Sequence, residues 1–366
     1  MPTIQKIISG LEKWAPLAYQ ENYDNAGLLT GSPEWEVSEV LLTLDVTEEV
    51  VEEAIAKGAN LIVAHHPIIF KGLRRLNGTS YVERTVITAI KNDIAIYAIH
   101  TNLDNVATGV NRKIAEKLGL EYIRILSPKT GELAKLSFFV PVENTQSVSE
   151  ALFSAGAGTI GAYSECSFRV EGIGTFKPDA SASPYIGTNG RLEEVKENRV
   201  EVMFPAYLQG KVLAALKSAH PYEEVAYYLQ SLVNDNQEVG AGAIGKLPVA
   251  MAMDDFLDYL KEKMDLKVIR HTRPLDRKVE KIAICGGSGS FLLKDAIRSD
   301  ADVFVTADFK YHEFFDAERR LMICDIGHYE SEVFTKDLLR SYLSGMFRDL
   351  ALHLSEVNTN PVIYHV

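Results

Sequence analysis

The sequence predicts an α/β protein whose core is built from two separate parts of the chain, with an α+β domain inserted between them. Strand-length apolar runs alternate with amphipathic helical segments over the first 128 residues, and the alternation resumes after residue 243. Such alternation favours mostly parallel sheets covered by helices. Between these parts the order changes to β-α-β-β-α-β, which is typical of a ferredoxin-like domain.

The first part of the core reads as a regular series of elements. It opens with the helix IQKIISGLEKW, the polar segment ENYDNAGLLTGS, the apolar run VLLTLDVT and the helix EEVVEEAIAKG, which stops at a glycine. It continues with the buried strand NLIVAHHPIIF running into a loop, the helix ERTVITAIKND, the strand IAIYAIHTNLD and the helix VNRKIAEKLGL. This order predicts strands that end in polar loops.

The middle part begins a new pattern near Lys135. Its elements are the strand KLSFFVPV, the helix SVSEALFSAG, strands around AYSECSFRVEGIGTF and RVEVMFPAY, the helix GKVLAALKSAH and the strand-like EEVAYYLQSL. The segment FFVPVENTQSVSEALFSAGAG is echoed by VMFPAYLQGKVLAALKSAH, the internal repeat expected of a ferredoxin-like sandwich. Because LSPKTGE and the flexible EVGAGAIGKLP interrupt the periodic segments, we expect a core of residues 1–128 and 243–366 and an insertion of residues 129–242.

The last part returns to strands alternating with helices. It contains the helix DDFLDYLKEKM, the strands VIRHT and KIAICGG, the helix SFLLKDAIRS, the strands ADVFVTAD and LMICDIG, and the long helix SEVFTKDLLRSYLSGMFRDLA. We therefore expect the two outer parts to form one unit.

Composition and charge exclude several classes of protein. Hydrophobic residues make up 46% and charged residues 24%, the balance of a folded globular protein. The sequence has neither a signal-peptide pattern nor an apolar run long enough to span a membrane. Three cysteines are too few for a disulfide framework, so we expect a cytoplasmic protein. A net charge of -12 disfavours general nucleic-acid binding.

Two adjacent histidines, His65 and His66, follow the apolar run LIVA. They lie where a strand ends, which is where open α/β sheets carry ligands. Neighbouring residues of a strand point to opposite faces, so both rings reach one centre only if the chain turns, and Pro67 supplies a turn. Taken alone, the pair is equally consistent with one ring in the core and the other in solvent.

Two further strand ends carry candidate metal ligands. Asp104 lies just beyond IAIYAIH, where it either binds metal or caps the next helix, and His100 beside it is a candidate to orient a ligand or to act as an acid or base. His328 and Glu332 follow LMICDIG and share one face of a helix. Mixed N and O ligands without cysteine suit Zn, Fe or Mn, and five ligands indicate two ions bridged by a carboxylate.

Three other motifs have both a functional and a simpler structural interpretation. GGSGS after KIAIC resembles a phosphate loop, but Leu292 occupies a position where a dinucleotide fingerprint needs a small residue. His312 either lies near the metals as an acid or base or packs on its own helix. Lys71, Arg74 and Arg75 are candidates to hold a substrate phosphate, although such clusters are more often solvated loops.

LIVAHHPIIF, IHTNLDN, DIGHYESE and ENYDNAGLLTG closely resemble the Nif-three-like family, also named GTP cyclohydrolase 1 type 2 homologues, over nearly the whole chain. The middle part resembles the PII-like or CutA-like insertion of its longer members. The resemblance implies a dinuclear site with His65, His66, Asp104, His328 and Glu332 as ligands, and Glu332 contacting both ions. It also implies a toroidal hexamer with the insertions over its openings, and His312 near the centre.

Two functions follow as hypotheses. The first is a metal-dependent hydrolase, with GTP or another nucleotide or phosphorylated compound as substrate. The second is a regulatory or metal-handling protein that senses a small molecule or partner through the insertion.

Overall fold

The computed structural model describes residues 1–365. By internal contacts the chain divides into two compact units, Met1–Pro128 with Gln237–Val366 (unit 1) and Lys129–Asn236 (unit 2). No helix among the described residues is both long and apolar enough to cross a lipid bilayer. Each unit has hydrophobic core clusters of its own.

The first part of unit 1 alternates helices and short strands, several of them capped by the side chains that precede them. Thr47 and Ser80, for example, accept hydrogen bonds from the first turns of the second and third helices. The elements are α1 (Ile4–Trp14), β1 (Gly27–Thr30), β2 (Val40–Thr43), α2 (Glu48–Lys57), β3 (Leu61–Ala64), α3 (Tyr81–Lys91), β4 (Ala95–Ala98), α4 (Thr101–Asp104), α5 (Val110–Lys117) and β5 (Glu121–Thr130).

Unit 2 contains four strands and two helices between β5 and the next strand of unit 1. Its elements are β6 (Leu133–Pro141), α6 (Thr145–Ser154), β7 (Phe168–Phe176), β8 (Glu193–Pro205), α7 (Gln209–Ala219) and β9 (Tyr227–Leu232). The sheet has the order β7-β8-β6-β9, and every neighbouring pair is antiparallel. Alternate residues of the strands pack against both helices in one core.

The rest of the chain completes unit 1. Its elements are β10 (Asp235–Met251), α8 (Met253–Met264), β11 (Arg270–His271), β12 (Val279–Ser288), α9 (Leu293–Arg298), β13 (Val303–Ala307), β14 (Met322–Asp325), α10 (His328–Glu332), α11 (Thr335–Met346) and β15 (Leu352–Leu354). The predicted α/β architecture is therefore confirmed. The helix predicted from Ser331 onward is instead divided between α10 and α11.

Unit 1 holds two sheets, and both have parallel strands at their centres. One has the order β1-β4-β3-β2-β15, in which all pairs except β1 with β4 are parallel. The other has the order β11-β14-β13-β12-β10-β5, in which β12, β13 and β14 run parallel. Residues from both sheets contribute to one large core cluster. Because strands end at the same edge of each parallel block, the loops after them are brought together.

Two segments differ from their sequence interpretation. LSPKTGE and EVGAGAIGKLP, predicted as interruptions between domains, lie largely within the strands β5 and β10, which are neighbours in the second sheet. Glycine is needed in β10 because a Cβ at Gly240 would overlap the backbone of Ser127 and Pro128. The glycines that indicated flexibility therefore allow close packing between strands.

Candidate metal centre

The predicted ligands come from three strand ends of unit 1. His65 and His66 follow β3, Asp104 ends the short helix after β4, and His328 and Glu332 begin and end α10 after β14. The structure brings all five together in overlapping groups, His66 with His328 and Glu332, and His65 with Asp104 and Glu332. A third group joins His65 and His66 to His100. Residues 266 positions apart thus meet in one cluster.

Glu332 lies at the centre of this cluster and its two oxygens face different histidines. Its Oε2 is 3.0 Å from Nε2 of both His66 and His328, whereas its Oε1 is 3.9 Å from Nε2 of His65. The Nε2 atom of His65 is also 3.6 Å from Asp104 Oδ1. One carboxylate therefore faces two sets of potential metal ligands.

Each imidazole is fixed by a partner on its outer nitrogen. Nδ1 of His65 is 2.8 Å from the carbonyl oxygen of Ile99. Nδ1 of His66, His100 and His328 is 2.7 Å from a carboxylate oxygen of Asp45, Asp24 and Asp308 respectively. Acceptors at these positions favour a proton on Nδ1, so that Nε2 would be the atom that binds a metal ion, as in carboxylate–histidine–metal sites.

Two buried polar atoms in the cluster lack a hydrogen-bond partner. They are His65 Nε2 and Asp104 Oδ1. Unpaired buried polar atoms are costly and rare in folded proteins. The 3.4 Å between Nε2 of His66 and Nε2 of His328 is close to the roughly 3.3 Å expected between nitrogen ligands of a tetrahedral ion with bonds of about 2.0–2.1 Å. The donor set therefore fits divalent metal ions.

The electrostatics of the cluster favour positive charge. Burial lowers the pKa of His66, but Asp45 and Glu332 raise it to about 9. Burial also lowers the pKa of His328, but Asp308 and Glu332 raise it to about 11. Burial raises the pKa of Glu332, yet the surrounding histidines hold it well below its usual value. Burial and the charge of Glu332 raise the pKa of Asp104. A divalent ion supplies the same compensating charge.

A cavity of about 390 Å³ opens above the cluster. His66, His100, Asp104, His328 and Glu332 form its polar base. The walls combine aromatic rings with small polar groups, namely Tyr23, Phe70, Phe291, Thr101, Asn105, Asn111 and Ser288. This combination is typical of sites for planar organic molecules.

The other predicted residues are placed differently. His312 is exposed, with its ring against Tyr311 and Phe315, and it does not line the cavity above the cluster. Lys71 lines a neighbouring cavity that includes His66 and Asp45. Arg74 and Arg75 are exposed and line neither cavity.

Sequence reasoning missed three carboxylates and one glycine of the centre. Asp308 directly follows β13, and Asp45 lies two residues beyond the end of β2, so both follow strands as Asp104 does. Asp24 fixes the ring of His100. Burial raises the pKa of the Asp24 carboxyl group, whereas His100 lowers it to about 2. At Gly287, in the GGSGS loop, a Cβ would lie 2.5 Å from Glu332 Oε1, and its φ of +59° also favours glycine.

Known proteins of one family are similar to this chain in sequence. The family model described as Duf34/NIF3 (NGG1p interacting factor 3) matches residues 2–361. Two curated relatives, from Halalkalibacterium halodurans and Bacillus subtilis, are named GTP cyclohydrolase 1 type 2 homolog. They are 40% identical over 365 and 366 residues, which are 98% of this chain and 98% of each relative.

Solved structures agree with the sequence matches. A Bacillus cereus protein related to NIF3 has a TM-score of 0.86 and 41% identity, over 100% of this chain and 99% of that chain. A Staphylococcus aureus protein has a TM-score of 0.80 and 31% identity, with the same coverage. The family resemblance inferred from the sequence is therefore confirmed.

Proposed function

Because the chain belongs to the Duf34/NIF3 family, we propose that it is a dinuclear metal protein acting as a metal-dependent hydrolase on a nucleotide. The observation that supports this most is the position of Glu332, whose two oxygens face His65 on one side and His66 with His328 on the other. His65, Asp104 and Glu332 would hold one ion, and His66, His328 and Glu332 the second. Such a pair of ions supplies an activated water nucleophile at neutral pH.

Zinc is the metal we propose, with Fe or Mn as alternatives. The proposed ligands are imidazoles and carboxylates without thiolate, a set that zinc uses in catalytic sites. Cys285 lines the cavity, but burial and the charges of Asp104 and Glu332 raise the pKa of its thiol. A protonated thiol is a poor ligand.

The residues of the cavity have separate roles in this proposal. Tyr23, Phe70 and Phe291 would pack against a planar base. His100 would move a proton at its Nε2 atom, because Asp24 holds its Nδ1 atom and fixes the orientation of the ring. Lys71 would contact phosphate from the adjacent cavity. For Arg74, Arg75 and His312 we propose no direct role in this chain's cavity.

The test is turnover by metal-loaded protein. Zinc-loaded wild-type protein is incubated with GTP and with other nucleotides, and products are separated by chromatography. We expect product from at least one nucleotide, and loss of that activity in Glu332→Gln. Glu330→Gln on the same helix is the matched control and should retain it. Unchanged turnover in Glu332→Gln would rule out hydrolysis at this centre.

A regulatory function is the second candidate, and the topology of unit 2 favours it. The strand order β7-β8-β6-β9 with two crossing helices is that of a ferredoxin-like split β-α-β domain. We propose that unit 2 is a PII-like or CutA-like insertion that senses a small molecule. Two ions per chain without turnover of any nucleotide would favour this function.

We further propose assembly into a toroidal hexamer in the cytoplasm. Tyr311 and Phe315 are 72% and 66% exposed and pack against each other, and exposed aromatic groups of this kind often belong to interfaces. Light scattering should give a mass about six times the 40.6 kDa of one chain. A monomer at micromolar concentration would contradict this assembly.

A further inference from the structure

Unit 2 contains a cavity of about 440 Å³ that is separate from the metal centre. Alternation along β8 puts Glu197 on the face of the sheet opposite Val200 and Val202, which pack in the core with the helices. The segment after β7 and the turn before β9 cover this face, and Glu223 accepts a hydrogen bond from the backbone N–H of Ser183 across them. The chain therefore encloses a small site of its own.

Aromatic rings form much of the wall. Phe139 and Tyr228 meet edge to face with centroids 5.7 Å apart, and Tyr222 lies 6.0 Å from Phe176 and 6.3 Å from Tyr185. All five line the cavity. The faces of such rings carry negative potential and attract cations.

Glu197 lines the same cavity and is only 8% exposed. Among the described residues, no Lys, Arg or His side chain forms an ion pair with it. Its Oε2 lies so close to Gly174 that a Cβ there would overlap it. Burying a carboxylate without a cation is unfavourable, so this position favours a ligand that supplies positive charge.

Two more observations point the same way. Burial and the neighbouring carboxylate of Glu197 raise the pKa of Tyr222, so the Tyr222 hydroxyl lies beside Glu197 and adds a second polar group to the wall. The charged groups of the lining are Glu197, Glu223 and Glu224 against the single cation Lys177. An anionic ligand such as a nucleotide phosphate is therefore disfavoured here.

We propose that this cavity binds a small organic cation, whose ammonium or guanidinium group pairs with Glu197 and packs against the tyrosine and phenylalanine rings. Its volume lies within the range of small-molecule sites. The proposal does not depend on the metal centre or on its activity. It gives the sensing function of unit 2 a specific class of ligand.

The direct test is calorimetric titration of the full chain. Choline and agmatine serve as the ammonium and guanidinium probes, and 3,3-dimethylbutan-1-ol serves as the uncharged isostere of choline. We expect saturable binding of at least one cation, and for choline a preference of about tenfold or more over the isostere. Absence of saturable binding by either cation at millimolar concentration would overturn the proposal, as would equal binding of choline and its isostere.

Point variants distinguish a loss of cation binding from a loss of folding. Glu197→Gln should weaken cation binding about tenfold or more and raise the melting temperature of the ligand-free protein, because an uncompensated buried charge is removed. Glu201→Gln is the matched control, since Glu201 lies on the same face of β8 but pairs with Lys135 and Arg199. It should bind cations as the wild type does.

Tyr185→Ala keeps the test decisive if Glu197→Gln does not fold. Tyr185 is 56% exposed, so its removal should leave the fold intact while cation affinity falls several-fold. If Glu197→Gln instead lowers the oligomeric mass and leaves cation affinity unchanged, the site accepts a side chain from a second copy of the chain. That result would also overturn the proposal.

Discussion

At the scale of single residues, the outer partners of the imidazoles determine the geometry of the candidate metal centre. Asp45, Asp308 and the carbonyl oxygen of Ile99 each accept a hydrogen bond from an Nδ1 atom, so that Nε2 faces Glu332 or Asp104. Asp308 does so from a left-handed backbone conformation with φ of 58°, which aspartate tolerates better than most residues. These positioning residues should control metal affinity without contacting the ions.

Replacing one of these carboxylates tests that role. We expect Asp45→Asn to weaken zinc binding about 10- to 100-fold, because an amide holds the His66 ring less strongly and gives it less electron density. Competition with a chromophoric chelator measures the affinity. Asp337→Asn, on an exposed ion pair with Arg340, is the control, and equal affinities in the two variants would contradict the role of Asp45.

A second prediction concerns the space next to Glu332. Gly287→Ala should lower zinc occupancy, because its Cβ would lie 2.5 Å from Glu332 Oε1 and because φ of +59° strains any other residue. Elemental analysis and a melting curve with and without zinc separate the two effects. Gly345→Ala, where a Cβ meets nothing within 4 Å, is the control. Full occupancy in Gly287→Ala would mean that Glu332 does not need this space.

At the scale of elements, hydrophobic patterning predicts the strands whose ends carry the site. LIVA, IAIYA and LMIC are continuous apolar runs that lie largely in β3, β4 and β14. Short or polar segments are not predictable in this way. The strand β1 lies within a polar stretch, and β15 has only three residues, which pair with β2 far away in sequence. Such strands depend on partners that local patterning does not reveal.

The link between α2 and the segment after β15 leads to a prediction about pH. Burial raises the pKa of Glu53, but hydrogen bonds from the Glu356 N–H and Ser355 hydroxyl, together with Lys57, lower it below the usual value. A carboxyl group whose pKa is lower in the folded state stabilises the fold above its unfolded pKa of about 4.3, and this contribution is lost as the pH falls through the folded value.

We therefore expect Glu53→Gln to lower the free energy of unfolding by about 1–3 kcal/mol at pH 7. The difference from wild type should shrink as the pH falls below about 4. Urea denaturation of the two proteins across this range measures it. A difference that stays constant with pH would show that ionisation of Glu53 does not stabilise this link.

At the scale of the whole molecule, the chain returns to unit 1 after unit 2. The β-α-β-β-α-β pattern predicts the elements of the middle part, because its strands and helices are long and periodic. The meeting of His66 with Glu332 could not be derived from periodicity, because it depends on how two sheets from distant parts of the chain pack. For those residues the prediction came from the family resemblance, because local sequence patterns do not show which distant residues meet.

Removal of unit 2 tests whether the metal centre is independent of it. The ends of unit 2 lie in β5 and β10, neighbouring strands of one sheet, so a short turn can replace residues 129–236. We expect the shortened chain to fold and to bind zinc with the stoichiometry of the full chain, as judged by circular dichroism and elemental analysis. A folded but metal-free product would mean that the insertion is required for the centre.

The most direct test of the account is the metal content of the purified full chain after loading with zinc and removal of excess ion. Mass spectrometry of the elements should give about two zinc ions per chain for the wild type and fewer for His328→Ala, because His328 belongs to only one of the two proposed ion sites. A wild-type value of one ion or none, or equal values in both proteins, would contradict a dinuclear centre bridged by Glu332.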